Sequence, residues 1–167
     1  MPPNLETPPQ DLIVGIGELK ESKNPQGVIV TYALGSCIGV TCYDPLTRVG
    51  GMLHAMLGDS KAGHQTSPVR AAYLDTGIPD LIQRVTDLGG NPRNFQFKIF
   101  GGAQTVQASD YFNIGAKNIK TMEAVATQLC LPVKVWEVGG QQNRTIRLYL
   151  QDGRVKLRSP GQPEIIL

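Results

Sequence analysis

Ile38-Gly-Val-Thr-Cys-Tyr43, Asp44-Pro-Leu-Thr47 and Val49-Gly-Gly-Met-Leu-His-Ala-Met-Leu57 follow one another in the first third of the chain. Two apolar runs separated by turn chemistry read as a β-hairpin. With its loop centred on Asp44 to Thr47, Tyr43 faces Arg48, Cys42 faces Val49 and Cys37 faces His54. Directly opposed residues point to one face, with Cβ atoms ~4.5–5.5 Å apart. This register therefore sets a thiol beside an imidazole. A bulge or an odd loop would send His54 to the other face.

Outward from the hairpin the same reading continues. Upstream, Leu12–Leu19 reads as a first strand, 22–27 as a turn-rich loop and Val28–Tyr32 as a second, β-branched strand. Residues 1–10 carry four prolines and no apolar pattern, which predicts a frayed tail before a single domain over 11–167. Downstream, 58–68 is a polar loop. A helical pattern from Val69 carries Leu81, Ile82, Val85 and Leu88 and stops at Gly89-Gly90. Pro79 either kinks that helix or opens its stronger half. Phe95–Phe100 alternates as a strand, and Asn113 caps a second helix with Ile119, Met122, Val125 and Leu129 on its apolar face. Val133–Val138, Thr145–Leu150 and Arg154–Leu157 complete the strands, the last two joined at Asp152-Gly153. The fold class is α/β of the α+β type: mixed, mostly antiparallel sheets packed together and flanked by two main helices.

Composition narrows the function classes. Sixteen basic and fourteen acidic residues leave a charge of +2, too small to argue for nucleic acid or an anionic membrane. No run approaches the ~20 apolar residues of a membrane span, and the first residues lack a signal-peptide pattern, so the expected location is the cytoplasm. Three cysteines do not suggest a disulfide framework. With two histidines and no Cys-x-x-Cys, no metal site is expected.

Chemistry concentrates at Gly35-Ser-Cys-Ile-Gly39. Flanking glycines expose backbone around a thiol, and N–H groups at Gly35 and Ser36 could bind the oxyanion of a tetrahedral intermediate. A small buried cysteine in a glycine-rich strand is the plainer alternative. Cys37 and His54 together form the usual arrangement for activating sulfur, with the thiolate as nucleophile and the imidazole as base. Thr31 either orients His54 or simply fills a strand position. Cys42 and Cys130 read as core, and His64 as a solvated loop residue. The double glycines Gly101-Gly102 and Gly139-Gly140 read as turns that could also bring backbone close to the site.

Several stretches resemble the CheD family of chemoreceptor glutamine deamidases. They include Val14-Gly-Ile-Gly-Glu18, Val28-Ile-Val-Thr31, Leu34-Gly-Ser-Cys-Ile38 and Gly51-Met-Leu-His-Ala-Met-Leu57. Later come Ile99-Phe-Gly-Gly-Ala103, Asn113-Ile-Gly-Ala-Lys-Asn118 and Gly139-Gly140 followed by Arg144. The resemblance implies a catalytic Cys37, His54 and Thr31 that need no cofactor. It also implies hydrolysis of glutamines to glutamates on methyl-accepting chemotaxis receptors, and docking of a CheC-type phosphatase. That docking alone, a regulatory binding module, is the alternative function; a thiol-redox role lacks a resolving cysteine at Cys-x-x-Cys spacing. Members usually carry Pro where this chain has Gly58, which suggests a looser loop here.

Overall fold

A computed structural model describes residues 10–62, 67–104 and 113–167. The expectations for the N-terminal tail and for His64 fall on residues outside that set. Ten strands and two α-helices are present among the described residues. One sheet has the order β1 (Leu12–Ile13), β3 (Val28–Leu34), β8 (Arg144–Tyr149), β9 (Val155–Arg158) and β10 (Ile165–Ile166). The other has β2 (Glu18–Ser22), β5 (Gly50–Ala55), β4 (Ile38–Tyr43), β6 (Gln96–Gly101) and β7 (Val133–Val138). Pairings are antiparallel except β1 with β3 and β6 with β7. The expected first strand is thus two strands in different sheets, parted by a turn at Gly17, whose φ of +75° suits glycine.

The layers follow from the period of two along each strand. In β5, Met52 joins Ile29, Phe100, Ile146 and Leu148 in a core between the sheets. Its neighbour Leu53 joins Leu74, Ile78, Leu81 and Met122 in a second core, between the β5 sheet and the helices. All six residues of β4 and of β5 are buried. A sheet covered on both faces requires apolar residues at successive positions, hence the unbroken hydrophobic runs. β8, by contrast, alternates buried and half-buried residues because only one of its faces meets a partner.

Helix α1 (Leu74–Asp87) runs through Pro79 and starts five residues before it, so Pro79 does not open it. Its start is set by the segment that follows β5. The Leu74 and Asp75 N–H groups donate to the Leu57 and Gly58 carbonyls at 3.0 and 3.1 Å. Helix α2 (Ile114–Gln128) begins where expected, with Asn113 Oδ1 accepting from the Ala116 N–H. Gly58 is buried against α2. A Cβ there would collide with Thr121, so this position is tight rather than loose. Among the described residues no helix is long and apolar enough to cross a membrane.

Because both faces of β5 are covered, neighbouring residues on it should be equally intolerant of truncation. Met52→Ala and Leu53→Ala should each lower unfolding free energy by about 2–5 kcal/mol in urea titrations. A neutral result at either position would mean that one face of β5 is open.

Candidate active site

The hairpin register differs from the sequence expectation by two residues. Gly39, not Cys37, faces His54, and Tyr43 faces Gly50. The turn sits one residue further along, because the Asp44 N–H donates to the Val49 carbonyl at 2.9 Å and Arg48 turns the chain with φ +59°. Asp44 Oδ1 accepts from the Leu46 and Thr47 N–H groups, which fixes this shifted turn. A two-residue offset keeps face parity. Cys37 packs against the core between the sheets, the side on which His54 meets Thr31.

His54 is held at two points. Its carbonyl accepts from the Gly17 N–H at 2.8 Å, and its ring reaches across to the other sheet. There Nδ1 lies 2.7 Å from Thr31 Oγ1, which also lies 2.7 Å from the Val14 carbonyl. A carbonyl only accepts, so the Thr31 hydroxyl donates its one proton to Val14. Nδ1 must then be the donor to Thr31, and the neutral ring carries its lone pair on Nε2. Thr31 and His54 are 0% and 2% exposed, and Nε2 is buried with no hydrogen-bond partner among the described residues. Burial pulls the His54 pKa down from 6.5 to about 4, so the ring is a free base at neutral pH.

Cys37 closes a bend immediately before β4 and is half-buried. Burial pushes its thiol pKa up, while its own N–H, aimed at the sulfur, pulls the other way. Both shifts favour the uncharged forms, a thiol and a free-base imidazole, over the expected thiolate. No hydrogen bond joins the thiol to the imidazole: Cys37 lies beyond the last paired residue of β4, and Nε2 has no partner among the described residues. Catalytic hydrogen bonds are often long in unliganded enzymes and tighten only with substrate.

Three successive carbonyls of this bend are tied down. Gly35 accepts from the Ala103 N–H at 2.9 Å, Ser36 from Asn118 Nδ2 at 2.9 Å, and Cys37 from the Gly102 N–H at 2.8 Å. Gly101 is held with φ +104°, and a Cβ on it would collide with the Cys37 carbonyl. Gly101-Gly102 thus does bring backbone against the site. Buried Arg144 braces it, donating to the Gly139 carbonyl at 2.8 Å and the Gly101 carbonyl at 3.4 Å. Sequence reasoning gave Asn118 and Arg144 no role. One signal was there for Asn118, a polar residue in helical step with Met122 and Val125.

The other thiols part company. Cys42 is fully buried as expected, and burial followed by Asp44 pushes its pKa far up. Cys130 is exposed, correcting its assignment to the core. It follows the end of α2 with φ +50°, which turns it away from the helix's apolar face. Among the described residues no three His, Cys, Asp or Glu side chains gather as a metal site would require.

Residues 56–159 match the family profile described as CheD chemotactic sensory transduction. A protein of Pyrococcus abyssi named probable chemoreceptor glutamine deamidase CheD is 40% identical over 152 residues, covering 89% of this chain and 91% of that one. Its namesake in Pyrococcus horikoshii is 38% identical, covering 94% of this chain and 97% of its own. A Syntrophus aciditrophicus protein of similar name is 38% identical over 92% of this chain and 96% of its own. The chain belongs to the CheD family.

Two measurements probe this electrostatic arrangement. Brief iodoacetamide treatment at neutral pH, mapped by mass spectrometry, should modify exposed Cys130 first and buried Cys42 last. The unfolded chain takes up the His54 proton near 6.5 and the folded chain only near 4. Between those values the unfolded state binds more protons, so stability is full above pH 6.5 and falls with pH through the window. Going from pH 7 to pH 5 should cost about 1–2 kcal/mol by denaturant titration. His54→Asn should flatten the dependence, and an equally steep fall in that variant would assign it to other groups.

Proposed function

We propose that the chain is a protein-glutamine deamidase acting on methyl-accepting chemoreceptors, with Cys37 as nucleophile and His54 as general base. Family membership supports the reaction. The observation that carries the site assignment is the His54 ring. Its Nδ1 side is committed to Thr31, and its Nε2 lone pair is buried, unpartnered and on the Cys37 side of the sheet.

The chemistry follows from the two neutral groups. As the Cys37 sulfur attacks the glutamine carboxamide carbon, His54 Nε2 takes the thiol proton. The resulting imidazolium, still donating through Nδ1 to Thr31, passes that proton to the departing nitrogen, which leaves as ammonia. Backbone N–H groups of Ser36 and Cys37 bind the oxyanion, since neither donates to another backbone carbonyl among the described residues. A thioester remains. Water, deprotonated by Nε2, attacks it and releases glutamate and the free thiol. Ordinary burial of a histidine would not explain a ring with one nitrogen locked and the other unsatisfied, since buried polar atoms usually find partners.

The site of action is the cytoplasm, where a thiol nucleophile stays reduced. Family membership also supports docking of a CheC-type phosphatase, which co-elution of the two purified proteins would test.

Incubation with a purified chemoreceptor cytoplasmic fragment should add ~1 Da at selected glutamines, the amide-to-acid difference, while Cys37→Ala and His54→Ala should each abolish that gain. Near-normal deamidation by Cys37→Ala would rule out covalent catalysis. Thr31→Val keeps the strand shape but removes the acceptor for Nδ1–H. It should cost about 1–3 kcal/mol of transition-state stabilisation, roughly 5–150-fold in turnover, with Thr31→Ser restoring most of it.

A further inference from the structure

Asn118 lies on the apolar side of α2, 2% exposed, among residues chosen for packing. Its Nδ2 donates to the Ser36 carbonyl at 2.9 Å and to the Met56 carbonyl at 3.0 Å. Both neighbours are acceptors, so the nitrogen and not the oxygen must face them, and both amide protons are used. The acceptors bracket the chemistry: Ser36 immediately precedes Cys37, and Met56 follows His54 by two residues. One side chain therefore ties the nucleophile's bend to the strand of the base.

The Ser36–Cys37 peptide is planar and trans, so its C=O and N–H point in opposite directions. Holding the carbonyl on α2 aims the Cys37 N–H away from α2, toward its own sulfur. The flanking carbonyls of Gly35 and Cys37 are held by backbone donors. Of the three, only the middle one depends on a side chain.

We infer that Asn118 is a positioning residue for deamidation: it orients the Ser36–Cys37 peptide so that the Cys37 N–H meets the oxyanion, and it holds that bend in register with the His54 strand. The inference rests on the deamidase reading of the site. It separates two properties of Cys37. Addition to an amide builds charge on oxygen and needs the oriented N–H, whereas alkylation by iodoacetamide is a displacement at carbon that builds no oxyanion.

Full-length wild type, Cys37→Ala, Asn118→Leu and Asn118→Asp would be compared on the same chemoreceptor fragment. Both Asn118 variants should lose roughly 10²-fold in kcat with KM within about twofold, the scale of losing one oxyanion donor. The rate and pH profile of Cys37 alkylation should stay close to wild type, read by peptide mapping. Asn118→Asp keeps the side chain's shape but turns carboxylate oxygens toward two carbonyls, and it carries the test if the leucine variant does not fold. Wild-type kcat in either folded variant would overturn the inference, as would alkylation falling in step with kcat, which would make Asn118 only a support for the sulfur's place. If wild type itself produced no mass gain, the deamidase reading would fail and the inference with it; active wild type with equally active variants removes Asn118 alone.

Discussion

The Thr31 hydroxyl has one proton, and the Val14 carbonyl takes it. Everything about the His54 ring follows from that. Nδ1 can only donate to Thr31, Nε2 is left as the basic atom, and the ring cannot rotate without leaving a buried donor unsatisfied. Thr31 and His54 belong to different sheets, so this bond crosses the interior between them. The packing of Ile29, Met52, Phe100, Ile146 and Leu148 that brings the sheets together is therefore also what sets the tautomer of the histidine. Core and site are one structure here.

Backbone conformation does comparable work around Cys37. A bulge between Thr31 and Leu34 leaves Tyr32 and Ala33 exposed and lets two residues three apart both point inward. Ala33 holds φ +52°, a conformation that costs a non-glycine residue of order 1 kcal/mol and persists only where surrounding structure enforces it. The chain then enters the Gly35–Cys37 bend, whose carbonyls are all drawn toward β6 and α2. With the acceptor side of each peptide anchored, the donor side of the bend is what remains for a ligand.

The neutral resting pair has a physical logic. Burial disfavours charge on both groups, raising the Cys37 thiol and lowering His54. A preformed ion pair would need a close, paired geometry to offset that desolvation, and the bend holds Cys37 beyond hydrogen-bonding contact with Nε2. Under the proposed reaction, the proton moves only when a substrate carbonyl supplies an acceptor for the charge that develops, which links turnover to the right ligand.

Local sequence determined a good deal of this protein. Asp44-Pro45 and the runs on either side specify a hairpin, because turn chemistry and β-propensity act over a few residues. Asn113 specifies a helix start for the same reason, and glycines around Cys37 mark a bend. Even the wrong register put Cys37 and His54 on the correct side, since side-chain direction repeats every two residues and the error was two. Tertiary structure decided the rest. Whether the loop closes at Thr47 or at Arg48 depends on Asp44, which also accepts from the distant Asn91 N–H at 2.8 Å. The split of the first strand between sheets, the exposure of Cys130 and the passage of α1 through Pro79 each depend on what packs nearby. A polar residue in step with Met122 marked Asn118 as unusual, but its role was unreadable for the same reason: its partners, Ser36 and Met56, lie 82 and 62 residues away in sequence. No local pattern encodes a contact between groups that only folding brings together.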